Sequence, residues 1–176
     1  MNSFNQKILI VDDIEDNRFT LERRLSRSGY TAISQADCGK KALELVKEDN
    51  FDLILLDLMM PDISGLDVLK ILKSDPKNRS IPVVMVTAAD EIDTTAECIS
   101  NGAEDYITKP INATLLKARV TACLEKKRFR DSEEHYLSKV EADKKRTQSF
   151  LKQILPEKIA EELNSSGLVR PRKYED

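Results

Sequence analysis

The sequence predicts an α/β fold, a doubly wound five-stranded parallel sheet. Three observations predict it. Strand-like and helix-like patterns alternate from residue 7 to residue 110. Three of the strand segments, 7–11 (KILIV), 51–56 (FDLILL) and 82–86 (PVVMV), are nearly continuous apolar runs, the pattern of strands buried on both faces of a parallel sheet. The polar residues that interrupt the runs stand at their carboxyl ends.

The elements follow in order. After the strand at 7–11, Ile14, Leu21 and Leu25 define one face of a helix that closes at Gly29. A second strand occupies 31–36 (TAISQA), and Ala42, Leu45 and Val46 share the face of the next helix. Beyond the third strand, Leu66, Leu69 and Leu72 repeat at helical spacing; beyond the fourth, Ile92, Ala96 and Ile99 do the same up to Gly102. Gly29 and Gly102 stand where helices end, because glycine accepts the positive φ of a helix terminus. The fifth strand is 105–108 (DYIT). Right-handed crossovers leave few topologies for such a sheet.

The fifth helix begins near Asn112 and has no reason to stop, since neither Gly nor Pro occurs from 111 to 155. A heptad frame puts Leu115, Ala122, Phe129, Tyr136 and Phe150 in one column of a seam and Val140, Thr147 and Ile154 in the other. Arg119, Lys126, Glu133 and Asp143 interrupt it. The expectation is a parallel coiled-coil dimer over 125–155, with Phe129, Tyr136, Val140, Phe150 and Ile154 in the seam and its first half the looser. A lone solvated helix is the alternative. Pro156 breaks the helix and opens a short one at 157–163, which Ser165-Ser166-Gly167 ends.

Composition excludes several classes. The net charge is −3 with no long run of like charges, which argues against nucleic-acid or membrane surfaces. No apolar stretch nears the roughly 18 residues of a membrane span. The first strand starts too early to leave room for a signal peptide. Cys38, Cys98 and Cys123 lack Cys-x-x-Cys spacing, so a reducing, cytoplasmic setting is expected. His135 lies in the charged helix and reads as a surface residue.

Ligands of open parallel sheets bind beyond the carboxyl ends of the strands. There the sequence sets Asp12 and Asp13 after the first strand, Asp57 after the third, Thr87 after the fourth and Lys109 after the fifth. Three carboxylates together repel one another unless a cation joins them, and all-oxygen ligands suit Mg²⁺. Lys109 and Thr87 would face an anion bound to that metal. Taken singly, Asp12 and Asp13 also suit helix capping, and Asp57 suits a turn.

The joint pattern Val11-Asp12-Asp13, Asp57 with Met60-Pro61-Asp62 and Gly65, Thr87-Ala88 and Lys109-Pro110 resembles the response-regulator receiver family over about residues 6–124. The resemblance implies a flavodoxin-like sheet of order 2-1-3-4-5 in a domain spanning 1–124. It implies that Asp57 accepts a phosphoryl group from a sensor histidine kinase or phosphotransfer protein. Asp12, Asp13, Asp57 and the backbone carbonyl of Met59 would organise Mg²⁺. Lys109 would contact the phosphoryl oxygens, with Thr87 and Ala88 at the phosphate and Tyr106 as the switch aromatic. The Lys109–Pro110 bond would be cis.

The stretch from Ile154 to Leu163, followed by 169–176 (VRPRKYED), resembles the segment ahead of class III nucleotide cyclase domains. It implies that 156–176 is a linker to an adenylate or guanylate cyclase in a longer protein, while the fragment itself is not an enzyme. A stand-alone dimeric adaptor, or a receiver serving a phosphatase or cyclic dinucleotide synthase, is the alternative. The 52 residues after Leu124 offer a long polar helix, not the helix pair of a DNA-binding regulator.

Overall fold

The computed structural model describes residues 4–88 and 92–154. Strands and helices alternate through them: β1 (Phe4–Val11), α1 (Glu15–Arg27), β2 (Tyr30–Ala36), α2 (Gly39–Glu48), β3 (Leu53–Asp57), α3 (Gly65–Ser74), β4 (Val83–Thr87), α4 (Ile92–Ser100), β5 (Asp105–Thr108) and α5 (Ala113–Ile154). The five strands form one parallel sheet of order β2-β1-β3-β4-β5. This is the flavodoxin-like arrangement.

The apolar runs explain the layering. Every residue of β3 and β4 is buried, and successive side chains enter opposite cores. Leu9, Val11, Ile54, Leu56, Val83 and Met85 meet α2 and α3 through Val46, Val68, Leu69 and Leu72. Ile8, Ile10, Leu53, Leu55, Val84 and Val86 meet α1 and α5 through Leu21, Leu25, Leu116 and Val120. Two strands run one residue further than their apolar stretches. β3 ends on Asp57, registered against Val86, and β4 ends on Thr87, registered against Thr108. The sheet ladder itself therefore places both polar residues.

Gly29 and Gly102 adopt φ values of 102° and 96° just past α1 and α4. Two of the expected helix faces differ. Ile14 precedes α1 as its cap residue in extended geometry and is exposed, so only Leu21 and Leu25 bury that face. On α4 the sheet-facing residues are Thr95 and Cys98, while Ala96 and Ile99 are exposed. Ile99 lines a cavity beside Thr95 and Tyr106, and the side chain of Ile92 lies outside those described.

Asn112 starts α5 by accepting hydrogen bonds at its side-chain oxygen from the Thr114 and Leu115 amides (2.9 and 3.1 Å). The helix then runs 42 residues without a break. Leu116, Val120, Cys123 and Leu124 recur at i, i+4, i+7 and i+8 and bury one stripe. Arg119 and Lys126, which the heptad frame sets in a seam, instead pair with Asp105 and Glu104.

The chain divides into two units, 1–129 and 130–176. The described part of the second unit, residues 130–154, is helical throughout. Tyr136, Leu137, Val140 and Phe150 are exposed along it, and so is Phe129 at the end of the first unit. The expected seam side chain of Ile154 and the short helix after Pro156 lie outside what is described. Among the described residues, no helix is long and apolar enough to cross a membrane.

Candidate functional site

The strand order reverses direction of progression between β1 and β3, so their carboxyl ends flank a crevice. Asp12 follows β1 immediately and is fully buried; Asp57, the last residue of β3, is 5% exposed; Asp13 is exposed beside them. Each of the three carboxylates offers an oxygen within 4.8 Å of the others. Lys109, just past β5, reaches across to both buried acids, with Nζ 2.9 Å from Asp57 Oδ1 and 3.1 Å from Asp12 Oδ2. Its backbone amide donates to the Thr87 carbonyl (2.7 Å), which joins the ends of β4 and β5. The following Lys109–Pro110 peptide bond is cis.

The charges do not balance. Three carboxylates face one ammonium. Burial pushes the Asp57 carboxyl up to about 6; the Lys109 hydrogen bond opposes this, and the neighbouring Asp12 charge adds to it. Burial alone would lower the Lys109 ammonium, but the hydrogen bonds it donates to Asp57 and Asp12 outweigh that and hold it above its ordinary value. A partly buried group of acids with uncompensated negative charge and all-oxygen donors fits a small hard cation such as Mg²⁺.

Thr87 Oγ1 is buried and has no hydrogen-bond partner among the described residues. An orphaned hydroxyl is costly, about 1–3 kcal/mol, which suits a group waiting for an incoming acceptor. It borders a cavity of about 180 Å³ between α4 and β5, lined by Ala88, Thr95, Ile99 and Tyr106. Tyr106 is 38% exposed, and the Arg119 guanidinium lies 5.5 Å from its ring centre. Met59 sits two residues beyond Asp57 with its side chain exposed.

The structure thus brings Asp12, Asp13, Asp57, Thr87 and Lys109 to one edge. It also shows supports that the sequence reading did not single out. Asn17, on the first turn of α1, donates to both Asp12 oxygens (3.0 Å each). Arg18 Nη1 donates to the Asp12 and Asp13 carbonyls (2.7 and 3.1 Å), and its Nε donates to Gln35 (3.2 Å). Asp12 itself accepts from the Ile14 amide (2.9 Å), a local turn and not a cap of α1. The signal for Asn17 was its place one turn beyond the acidic pair; Gln35 could be found only through the β1–β2 pairing.

The family model described as Response regulator receiver domain matches residues 8–121. Response regulator PleD of Caulobacter vibrioides is 45% identical over 114 residues, which cover 65% of this chain and 25% of that protein. A cyclic di-GMP phosphodiesterase of Thermotoga maritima is 36% identical over 155 residues, covering 88% of this chain and 38% of that one. The receiver domain of the Francisella response regulator 1452 superposes with a TM-score of 0.63 at 32% identity, covering 69% of this chain and 98% of that structure. The chain therefore spans well under half the length of both full-length relatives.

Proposed function

The chain belongs to the response regulator receiver domain family, and we propose that it is the phosphoryl-accepting input of a two-component relay, with Asp57 taking the group. One observation carries this reading above the others. A nearly buried carboxylate at a strand end lies against a lysine, beside two further acids and an unpaired buried threonine hydroxyl. In the step, an Asp57 oxygen forms a bond to phosphorus as the donor's phosphorus–nitrogen bond breaks. The donor is a phosphohistidine on a kinase or phosphotransfer protein, and its imidazole leaves. Such transfer asks for positioning and charge compensation. Mg²⁺ held by Asp12, Asp13, Asp57 and the Met59 carbonyl would neutralise phosphoryl charge. Lys109 binds the transferred group from the other side, and Asn17 and Arg18 keep the end of β1 in place. Thr87 Oγ1 gains its missing partner when phosphoryl oxygens arrive, and Tyr106 turns toward the space Thr87 leaves.

With acetyl phosphate and Mg²⁺, one acid-stable, base-labile phosphoryl group is expected per chain. Asp57→Asn abolishes it. Label retained on Ser or Thr in that variant overturns the assignment.

Beyond the receiver, residues 125–155 act as a parallel coiled-coil dimer and 156–176 as the linker to an output domain. The exposed row of Phe129, Tyr136, Val140 and Phe150 supports the pairing, because aromatic residues left in water on a solitary helix gain nothing. The resemblance of 154–176 to the approach of class III nucleotide cyclases supports a cyclase output. A second output, an enzyme of cyclic dinucleotide turnover, is favoured by the Thermotoga relative, whose match continues over 155 residues. Joining the chain to each type of catalytic domain and measuring phosphorylation-dependent turnover separates the two.

A further inference from the structure

Residues 58–64 carry the chain from β3 to α3 and contain Met59. Backbone contacts fix both ends. The Leu58 amide donates to the Val86 carbonyl (3.1 Å), and the Gly65 amide donates to the Leu58 carbonyl (2.8 Å). Gly65 passes so close to β3 that a Cβ there would stand 2.0 Å from the Asp57 carbonyl oxygen. Ser64 caps α3, its hydroxyl accepting from the Asp67 amide (3.1 Å).

Asp62 anchors the middle of the segment. Its Oδ1 accepts from the Gly39 amide (3.1 Å) and its Oδ2 from the Lys40 amide (3.0 Å). Those amides are free donors at the start of α2, whose own cap residue, Cys38, makes no side-chain capping bond. A carboxylate 23 positions further along the chain fills that role. The two segments interlock sterically as well, since a Cβ on Gly39 would meet Ile63 at 3.2 Å and Val68 at 2.8 Å. The Lys40 amide, aided by that of Gly39, holds the Asp62 carboxyl down at about 2, so the anchor is ionised near neutral pH.

We propose that Asp62 is a positioning residue for the Mg²⁺ site: it ties the segment bearing the Met59 carbonyl to α2 and so keeps that carbonyl available to the metal. The inference rests on the proposed reading of Asp12, Asp13, Asp57 and the Met59 carbonyl as that site. Without the anchor, residues 59–62 sample other conformations. The apparent affinity then falls by the fraction of time the carbonyl is out of place. Groups that orient ligands in this way typically change metal affinity at least tenfold.

The test is a Mg²⁺ titration of the full chain, followed by backbone amide NMR shifts. Asp62→Ala is expected to raise the dissociation constant about tenfold. Asp62→Asn, which keeps one acceptor, falls between Asp62→Ala and the parent. Lys41→Gly weakens α2 through helix propensity and the loss of its exposed pair with Glu44, without touching the Asp62 contacts, so it lowers the melting temperature and leaves Mg²⁺ affinity unchanged. With acetyl phosphate, Asp62→Ala needs more Mg²⁺ for half-maximal labelling but reaches the parent rate at saturation. Parent-like affinity in Asp62→Ala overturns the inference, as does an equal loss in Lys41→Gly; either makes Asp62 a helix cap and nothing more. Asp13→Ala distinguishes the premise: if it and the parent bind Mg²⁺ equally, the acidic cluster is not the metal site.

Discussion

Asp57 combines two demands that oppose each other. It is buried at a strand end, which favours the neutral acid, yet its proposed chemistry needs the carboxylate. In metal-free protein its folded value of about 6 lies above the unfolded value of about 3.9. Between those values the folded state binds more protons than the unfolded state, so stability falls as pH rises through the window. Asp57→Asn cannot ionise and escapes that loss. In urea denaturation with EDTA, the variant and the parent should match near pH 4, and the variant should become the more stable above about pH 6. A gap that stays constant from pH 4 to pH 7 would show that ionisation of Asp57 carries no penalty. Asn17 invites a second residue-scale measurement. Its amide serves both oxygens of a fully buried carboxylate, so Asn17→Ala removes a charge-assisted donor from each and leaves Oδ1 to the Ile14 amide and Oδ2 to Lys109. A loss of about 1–3 kcal/mol in metal-free stability is expected from chemical denaturation, shrinking when Mg²⁺ is present.

At the scale of an element, α5 has two faces with different duties. Leu116, Val120, Cys123 and Leu124 close the core over the sheet, whereas Phe129, Tyr136, Val140 and Phe150 are exposed. Leu116→Ala should cost about 2–5 kcal/mol in urea denaturation, the usual effect of a buried leucine cavity. Tyr136→Ala should change the stability of the 1–129 unit by less than about 0.5 kcal/mol. In analytical ultracentrifugation the same variant should shift the monomer–dimer balance toward monomer. If Tyr136→Ala and Phe150→Ala sediment as the parent does, the exposed row is not a seam. The pairing of Arg119 with Asp105, of Arg119 with the Tyr106 ring, and of Lys126 with Glu104 also changes how the helix is understood. These polar positions have partners at Glu104, Asp105 and Tyr106, so this stretch of the helix is tethered to the start of β5.

For the molecule as a whole, the receiver closes its own core. Among the described residues, both hydrophobic clusters draw only on positions up to Leu124. A chain ending at Phe129 should therefore fold cooperatively, remain monomeric at tens of micromolar by sedimentation, and accept phosphoryl groups at the parent rate. A truncated chain that aggregates, or that loses labelling, would show that the remaining helix contributes to the site.

Periodicity and composition were enough for the sheet, because apolar runs buried on both faces, and the Gly residues that end α1 and α4, are local features. The same holds for the unbroken α5, which follows from the absence of Gly and Pro, and for the strand-end positions of Asp12, Asp57, Thr87 and Lys109. The family's signature was legible for that reason: each of its residues is punctuation on a local element. Tertiary structure decided the rest. Ile14 and Ile99 match a helical period yet are exposed, since the docking of α1 and α4 selects which apolar side chains reach the core. Lys109 lies 97 positions from Asp12 and 52 from Asp57, and Asp62 caps a helix 23 positions upstream. No local pattern encodes such contacts; they exist because parallel strands joined by crossovers bring the ends of distant segments to one edge. A sequence can name the groups that meet there, but only the packed sheet sets which carboxylate is buried, which ammonium compensates it, and which hydroxyl is left without a partner.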